Sequence, residues 1–319
     1  MPEASPEPVP ATMPVAEKTS IAQRVRRAAG RFWLDFLFWN ARRRPWFVAL
    51  SKPIFLFFAW RFSPVLRDGT LANARRLLGR DASRSDVTAL AKSIIASFLQ
   101  FVYDIGRCGR MSRAAIKSEI ESVEGVEAYN DARSKRVGVI VVTAHLGCFE
   151  VGIVGLLDRE PNVHVVFSRD RMHRFERLRS EHHRRLGVIE ARVDDGLATW
   201  IGLRDALAAD HAVLIQGDRV MPGHQGVRMP FLDGHLLVPA GPVKLALATG
   251  APIVPTFALR TPSGKVRIMM EPAIEVTADG RSIGVEHPGM IALTEVIERY
   301  VRAHPEQWLV LHRAWCEDQ

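Results

Sequence analysis

The chain has 319 residues, 47% of them hydrophobic, which is enough for one large domain, or one domain with a helical extension, to bury a full core and a pocket inside it. Lys and Arg number 43 against 35 Asp and Glu, and the sequence pI near 9.8 favours anionic partners such as nucleic acid, an anionic membrane or a phosphorylated substrate. Three cysteines far apart, Cys108, Cys148 and Cys316, form no CxxC pair, so they suggest neither a disulfide framework nor a zinc site and fit a reducing compartment.

Residues 1–19 are rich in Pro, Ala and Glu and lack the basic and apolar regions of a signal peptide, so they read as a disordered leader. Residues 20–68 are different. Between Ser20 and Phe62 lie nine Lys or Arg and one acid, Asp35, and Arg31 to Phe62 carries four of the seven tryptophans and eight of the fifteen phenylalanines. Arg42, Arg43, Arg44, Lys52 and Arg61 interrupt every apolar run, so a spanning helix is disfavoured. One or two helices lying in a membrane interface are expected, with aromatics at headgroup level and Arg and Lys on anionic lipid phosphates. A helical subdomain packed on the core is the alternative, and the two are compatible.

Residues 69–319 read as the main domain. Ala72 to Arg110 has apolar residues near helical spacing. Beyond Glu119 strands alternate with helices. Val137 to Ala144 is β-branched and suits a strand buried on both faces; Asn162 to Ser168, Ala212 to Gln216 and Pro252 to Leu259 are further strands. Helices fall at Glu150 to Leu157, Phe175 to Leu186, Thr199 to Ala208 and Pro242 to Thr249, the last bounded by a Pro at its start and Gly250 at its end. The alternation implies an α/β layered domain with a largely parallel central sheet flanked by helices.

The chemistry concentrates in Thr143-Ala-His-Leu-Gly-Cys-Phe-Glu150. On one continuous helix His145 and Glu150 would stand about 140° apart and could not meet. If His145 ends a strand and Gly147 turns the chain into a helix starting near Phe149, both can face the crevice at the carboxyl end of the sheet, where such sheets place ligands. A carboxylate beside the imidazole would fix its tautomer for general-base work; a core histidine capped by a loop carboxylate is the plainer alternative. Cys148, close to both, is conceivable as a nucleophile. His182 and His183 stand in a charged helical stretch with no third metal ligand, and the Arg-rich run from Arg169 to Arg185 has no nucleic-acid module around it, so neither metal nor nucleic acid is expected.

At this point five blocks in order carry a resemblance. Val141-Val-Thr-Ala-His-Leu-Gly-Cys-Phe-Glu-Val-Gly152, Val165-Val-Phe-Ser-Arg169, Leu214-Ile-Gln-Gly-Asp-Arg219 followed by Val227-Arg-Met-Pro-Phe-Leu-Asp-Gly234, Ala251-Pro-Ile-Val-Pro255 and His304-Pro-Glu-Gln-Trp308 resemble the blocks of the lysophospholipid acyltransferase superfamily, in its lipid A late-acyltransferase branch. The departures are Gln216 and Asp218 in the third block and Cys148 and Phe149 in the first; none removes His145 or Glu150. The resemblance implies transfer of an acyl group from an acyl carrier protein or coenzyme A thioester to a hydroxyl of a membrane lipid or glycolipid, with His145 as general base assisted by Glu150. It implies substrate binding by Arg169, Gly217, Asp218 and Arg219, and an oxyanion held at Gly147 or Arg169. No cofactor, no metal and no covalent enzyme intermediate are implied. A monomer on the cytoplasmic face of the inner membrane is expected. A non-catalytic lipid-binding protein, or a thioesterase or lipase using water, are the alternatives.

Overall fold

The structure, a computed structural model, describes residues 36–168, 173–220, 224–277 and 282–318. The leader, residues 20–35 of the basic aromatic segment and Arg169 lie outside them. A helical stretch over residues 36–43 precedes α1 (Pro45–Phe62), α2 (Pro64–Leu78) and α3 (Arg84–Cys108), which pack on one another. Then follow α4 (Arg113–Lys117), β1 (Ile120–Glu124), α5 (Val126–Ser134), β2 (Val139–Thr143), α6 (Phe149–Leu157), β3 (Val163–Phe167), α7 (His173–Leu186) and β4 (Ile189–Arg192). The chain continues through α8 (Leu197–Ala208), β5 (Ala212–Gln216), β6 (Val227–Phe231), β7 (Gly234–Val238), α9 (Gly241–Thr249), β8 (Ile253–Arg260), β9 (Val266–Met270) and α10 (Pro288–Ala303).

Seven strands form one sheet in the order β1-β9-β8-β2-β5-β3-β4, while β6 and β7 make a separate hairpin. The five strands from β8 to β4 are parallel; β9 runs antiparallel to β8, and β1 runs parallel to β9. The sequence of β2 explains its central place. Every residue of Val139–Thr143 is buried, and successive side chains point to opposite faces. Ile140 and Val142 join the core shared with α8, α9, α10 and the hairpin, whereas Val139 and Val141 join the core shared with α5 and α6. Burial on both faces is what a β-branched run without polar alternation encodes.

Residues 120–124, 189–192 and 266–270 were not expected as strands. β1 and β4 are the sheet's two edges and β9 neighbours an edge. Their sequences, IESVE and IEAR at the margins, carry charged residues because one side of an edge strand meets water. Among the described residues one helix, α3, is long and apolar enough to cross a membrane, and 56% of its apolar window is buried inside the protein. Its buried stripe, including Ile94, Ile95, Val102 and Ile105, packs against the body of the protein, as a core helix does.

Candidate active site

Strand register builds the site. β2 and β5 are adjacent and parallel, with Thr143 paired to Gln216, and Gly217 N–H extends the ladder by donating to the Thr143 carbonyl at 2.8 Å. Two residues beyond that pair on each strand stand His145 and Asp218. They meet: His145 Nδ1 lies 2.8 Å from Asp218 Oδ1. Gly217 is needed for the approach, because a Cβ there would sit 2.7 Å from Val142 Cγ1. The Asp218 side chain is fully buried, and its second oxygen, Oδ2, accepts a hydrogen bond from Trp308 Nε1–H at 2.9 Å.

The turn after His145 has the expected shape. Gly147 adopts φ +68°, a conformation that disfavours other residues, and a Cβ at this position would lie 2.2 Å from the Ala258 carbonyl oxygen. α6 then starts at Phe149 and holds Glu150 in its first turn. The carboxylate of Glu150, however, does not reach His145. It is buried against α7, with His183 Nε2 at 3.4 Å and His182 Nε2 at 3.8 Å. The pairing expected between His145 and Glu150 is thus replaced by His145 with Asp218. The side chain of Glu150 leaves α6 toward His182 and His183, whereas the segment after β5 brings Asp218 from the neighbouring strand to the level of His145.

The geometry bears on one further expectation, the oxyanion, and on the Cys148 alternative. Gly147 N–H is not available to an oxyanion, since it donates to the Gln307 carbonyl at 3.0 Å, and Cys148 N–H donates to the Ala258 carbonyl at 2.7 Å. The next amides, those of Phe149 and Glu150, have no backbone acceptor among the described residues. Cys148 is buried with its Sγ 3.7 Å from Asp104 Oδ2, and burial, reinforced by that carboxylate, pushes the thiol well above its ordinary range. A thiolate nucleophile is disfavoured there.

Electrostatics suit a neutral imidazole beside a fixed carboxylate. Burial lowers the His145 pKa, the Arg219 guanidinium lowers it further, and Asp218 opposes both. Burial pushes Asp218 up, but His145, Arg219 and the Trp308 hydrogen bond outweigh it and bring the carboxyl to about 2. His145 is 17% exposed and lines a cavity of about 780 Å³. Its walls are largely apolar: Phe38, Phe98, Phe101 and Phe175 on the side of the N-terminal helices, Trp200 and Leu245 on the side of α8 and α9. Arg219 also lines it, as do His183 and Arg179 from α7. Gly217 and Asp218, expected as substrate ligands, are both buried; Asp218 is bonded to His145, and Gly217 donates its N–H to the Thr143 carbonyl.

A largely apolar cavity with a carboxylate-held histidine in its wall suits chemistry on a lipid-like substrate. The protein class is that of the acyltransferases. The chain belongs to the bacterial lipid A biosynthesis acyltransferase family, whose model matches residues 16–317. It is also similar to the phosphatidylinositol mannoside acyltransferase of Mycobacterium tuberculosis (strain CDC 1551 / Oshkosh), with 21% identity over 248 residues covering 77% of this chain and 76% of that protein. The family implies an acyl donor and a lipid acceptor as substrates.

Proposed function

We propose that this protein moves a fatty acyl group from a thioester of acyl carrier protein or coenzyme A to a hydroxyl of a membrane glycolipid or lipid, using His145 as general base and Asp218 as its orienting carboxylate. The observation that carries this reading is the bond from His145 Nδ1 to Asp218 on the rim of the apolar cavity. With Nδ1 engaged, Nε2 is the nitrogen open to the acceptor. It takes the hydroxyl proton as the oxygen attacks the thioester carbonyl; the tetrahedral intermediate collapses with loss of the thiolate, which receives that proton from Nε2. Asp218 stabilises the transient imidazolium without itself being protonated. No resident cofactor takes part. A sugar-bearing acceptor is supported by the family description and by the mannoside in the relative's name. Arg219, and Arg169 by resemblance, are proposed to meet phosphate on donor or acceptor.

Glu150 is assigned a supporting part: paired with His182 and His183, it holds α7 against α6 and so keeps one wall of the cavity in place. Membrane attachment at the cytoplasmic face is assigned to α1. Trp46, Leu50, Ile54, Phe57, Phe58, Phe62 and Val65 are all more than half exposed and recur at helical spacing, an outward stripe that a lipid interface would cover.

The test is product analysis by mass spectrometry, with purified protein, an acyl thioester and a panel of lysolipids and glycolipids in vesicles. Acyl lipid as the product, abolished by His145→Ala, is expected. Free fatty acid alone would make water the acceptor and the protein a thioesterase, and no turnover with any pair would leave a binding protein.

A further inference from the structure

The His-Pro-Glu-Gln-Trp segment near the C-terminus forms none of the cavity wall up to Trp308, yet it touches both members of the proposed pair. Its backbone runs antiparallel beside the turn after β2. Leu309 N–H donates to the His145 carbonyl at 2.7 Å, Gly147 N–H donates to the Gln307 carbonyl at 3.0 Å, and Leu146 and Trp308 form an isolated antiparallel bridge. On its other side the Gln307 side chain clamps the end of β8: Arg260 N–H donates to Gln307 Oε1 at 2.9 Å, and Gln307 Nε2 donates to the Arg260 carbonyl at 3.0 Å. The segment therefore ties the histidine turn to the sheet through main chain and one amide.

Trp308 adds the second tie. Its ring is 1% exposed and is held between Phe231, stacked at 6.1 Å, and Trp315, edge-on at 5.7 Å. So fixed, its indole N–H can point only where the packing sends it, and it points at Asp218 Oδ2. Asp218 has two buried oxygens and, among the described residues, one hydrogen-bond partner on each, His145 on Oδ1 and Trp308 on Oδ2. Without the indole donor a buried carboxylate oxygen would be left unpaired, and the group would be free to turn about its last torsion toward the nearby Arg219 guanidinium.

Resting on the proposed role of His145 and Asp218, we infer that Trp308 is a positioning residue for acyl transfer, holding the Asp218 carboxylate in the plane that aims Oδ1 at His145 Nδ1, with Gln307 fixing the segment that carries it. Trp308 touches no reacting atom; it acts through Asp218. The nearest bland role, filling the core between Phe231 and Trp315, requires the ring but not its N–H.

Replacing Trp308 in the full chain with benzothienylalanine, which keeps the bicyclic shape and has sulfur where the N–H was, separates the two. Trp308→Phe serves as the second variant, with circular dichroism and melting curves to show that each protein is folded. The isostere is expected to lower kcat roughly ten- to a hundredfold, the scale of losing one hydrogen bond to a buried charged group, while KM for the acyl thioester changes less than about twofold. The same replacement in an Asp218→Ala background should then have almost no further effect, because the residue it acts through is gone. Full kcat in a folded isostere variant, or an equal fractional loss with and without Asp218, would overturn the inference. A His145→Ala protein that retains transfer would instead overturn the reading of the site itself, so the two failures are distinguishable.

Discussion

Burial and Arg219 together outweigh the attraction of Asp218 and lower the His145 pKa from its ordinary value. A neutral ring is the active form of a general base, so activity should rise as pH climbs through the His145 pKa, with the acid limb of kcat/KM centred below the ordinary histidine value of 6.5. Arg219→Gln removes a cation that disfavours the imidazolium and should move that limb to higher pH. Asp218→Asn removes the anion that favours it and should move the limb to lower pH while cutting kcat on the order of 10²- to 10⁴-fold. A pH–rate series on the three proteins checks this; identical limbs would separate His145 from the observed titration. The residues of the turn were legible beforehand, since a strand-ending histidine, a glycine and a helix start five residues on admit few geometries. Asp218 stands out there only as a substrate ligand implied by the resemblance; its partnership with His145 was not legible, because it follows from β2 and β5 being neighbours with Thr143 opposite Gln216, and spacing along the chain carries no information about which strands pair.

Between elements, the tie that matters is α6 to α7. Glu150 is 1% exposed and faces His182 and His183, and His183 Nδ1 also meets Glu190 of β4 at 3.2 Å, with Ser180 Oγ donating to the other Glu190 oxygen at 3.0 Å. Burial disfavours the imidazolium of His183, but Glu150 and Glu190 outweigh it and raise its pKa to about 9, while His183 draws the Glu150 carboxyl down against the same burial. Glu150→Gln would leave the buried His183 with Glu190 but without the fully buried carboxylate of Glu150, and breaking a buried pair costs up to about 3–5 kcal/mol. The expected outcome is a clear drop in melting temperature with a smaller loss of kcat than Asp218→Asn gives; the reverse order would return Glu150 to the catalytic step. A raised folded pKa contributes stability that is complete below the unfolded value near 6.5 and is lost as pH rises through about 9. Melts between pH 6 and 10 should show that decline in the wild type and a flatter curve in Glu150→Gln. The adjacent histidines, expected in a charged helical stretch, are 2% and 1% exposed, because residues of α7 pack against both α3 and β4. Composition alone could not show it: the helix sequence HRFERLRSEHHRRL is polar nearly throughout, and only the carboxylates brought by other elements make the burial tolerable.

Across the whole molecule, the N-terminal helices form both a wall and an outer face. Val48 of α1 is buried together with Phe38, Leu99, Phe101 and Leu309, and three of these, Phe38, Phe101 and Leu309, line the cavity. The opposite side of α1 carries the exposed stripe from Trp46 to Phe62, continued by Val65 of α2. A helix apolar on both sides has one side too many for a water-exposed position. If the stripe lies in a bilayer, the cavity sits directly beneath the membrane-facing layer, a short route for a lipid acceptor and an acyl chain to the same base. The cations flanking the stripe are not equivalent. Arg42 is paired with Glu181 at 2.5 Å and Arg43 lies over the Trp39 ring, 5.4 Å from its centroid, so Arg44 is better placed for lipid phosphates; Arg61 lies over the Phe62 ring, 5.3 Å from its centroid, and so stands within the stripe itself. Vesicle sedimentation should therefore separate two contributions. Phe57→Ser with Phe58→Ser should weaken attachment to neutral and anionic vesicles alike. Arg44→Gln with Arg61→Gln should weaken it only on anionic vesicles and only at low salt, because the Debye length falls from about 10 Å at 0.1 M to about 3 Å at 1 M. Binding that survives the aromatic pair unchanged would remove α1 from the membrane and return its exposed stripe to a contact with another protein surface.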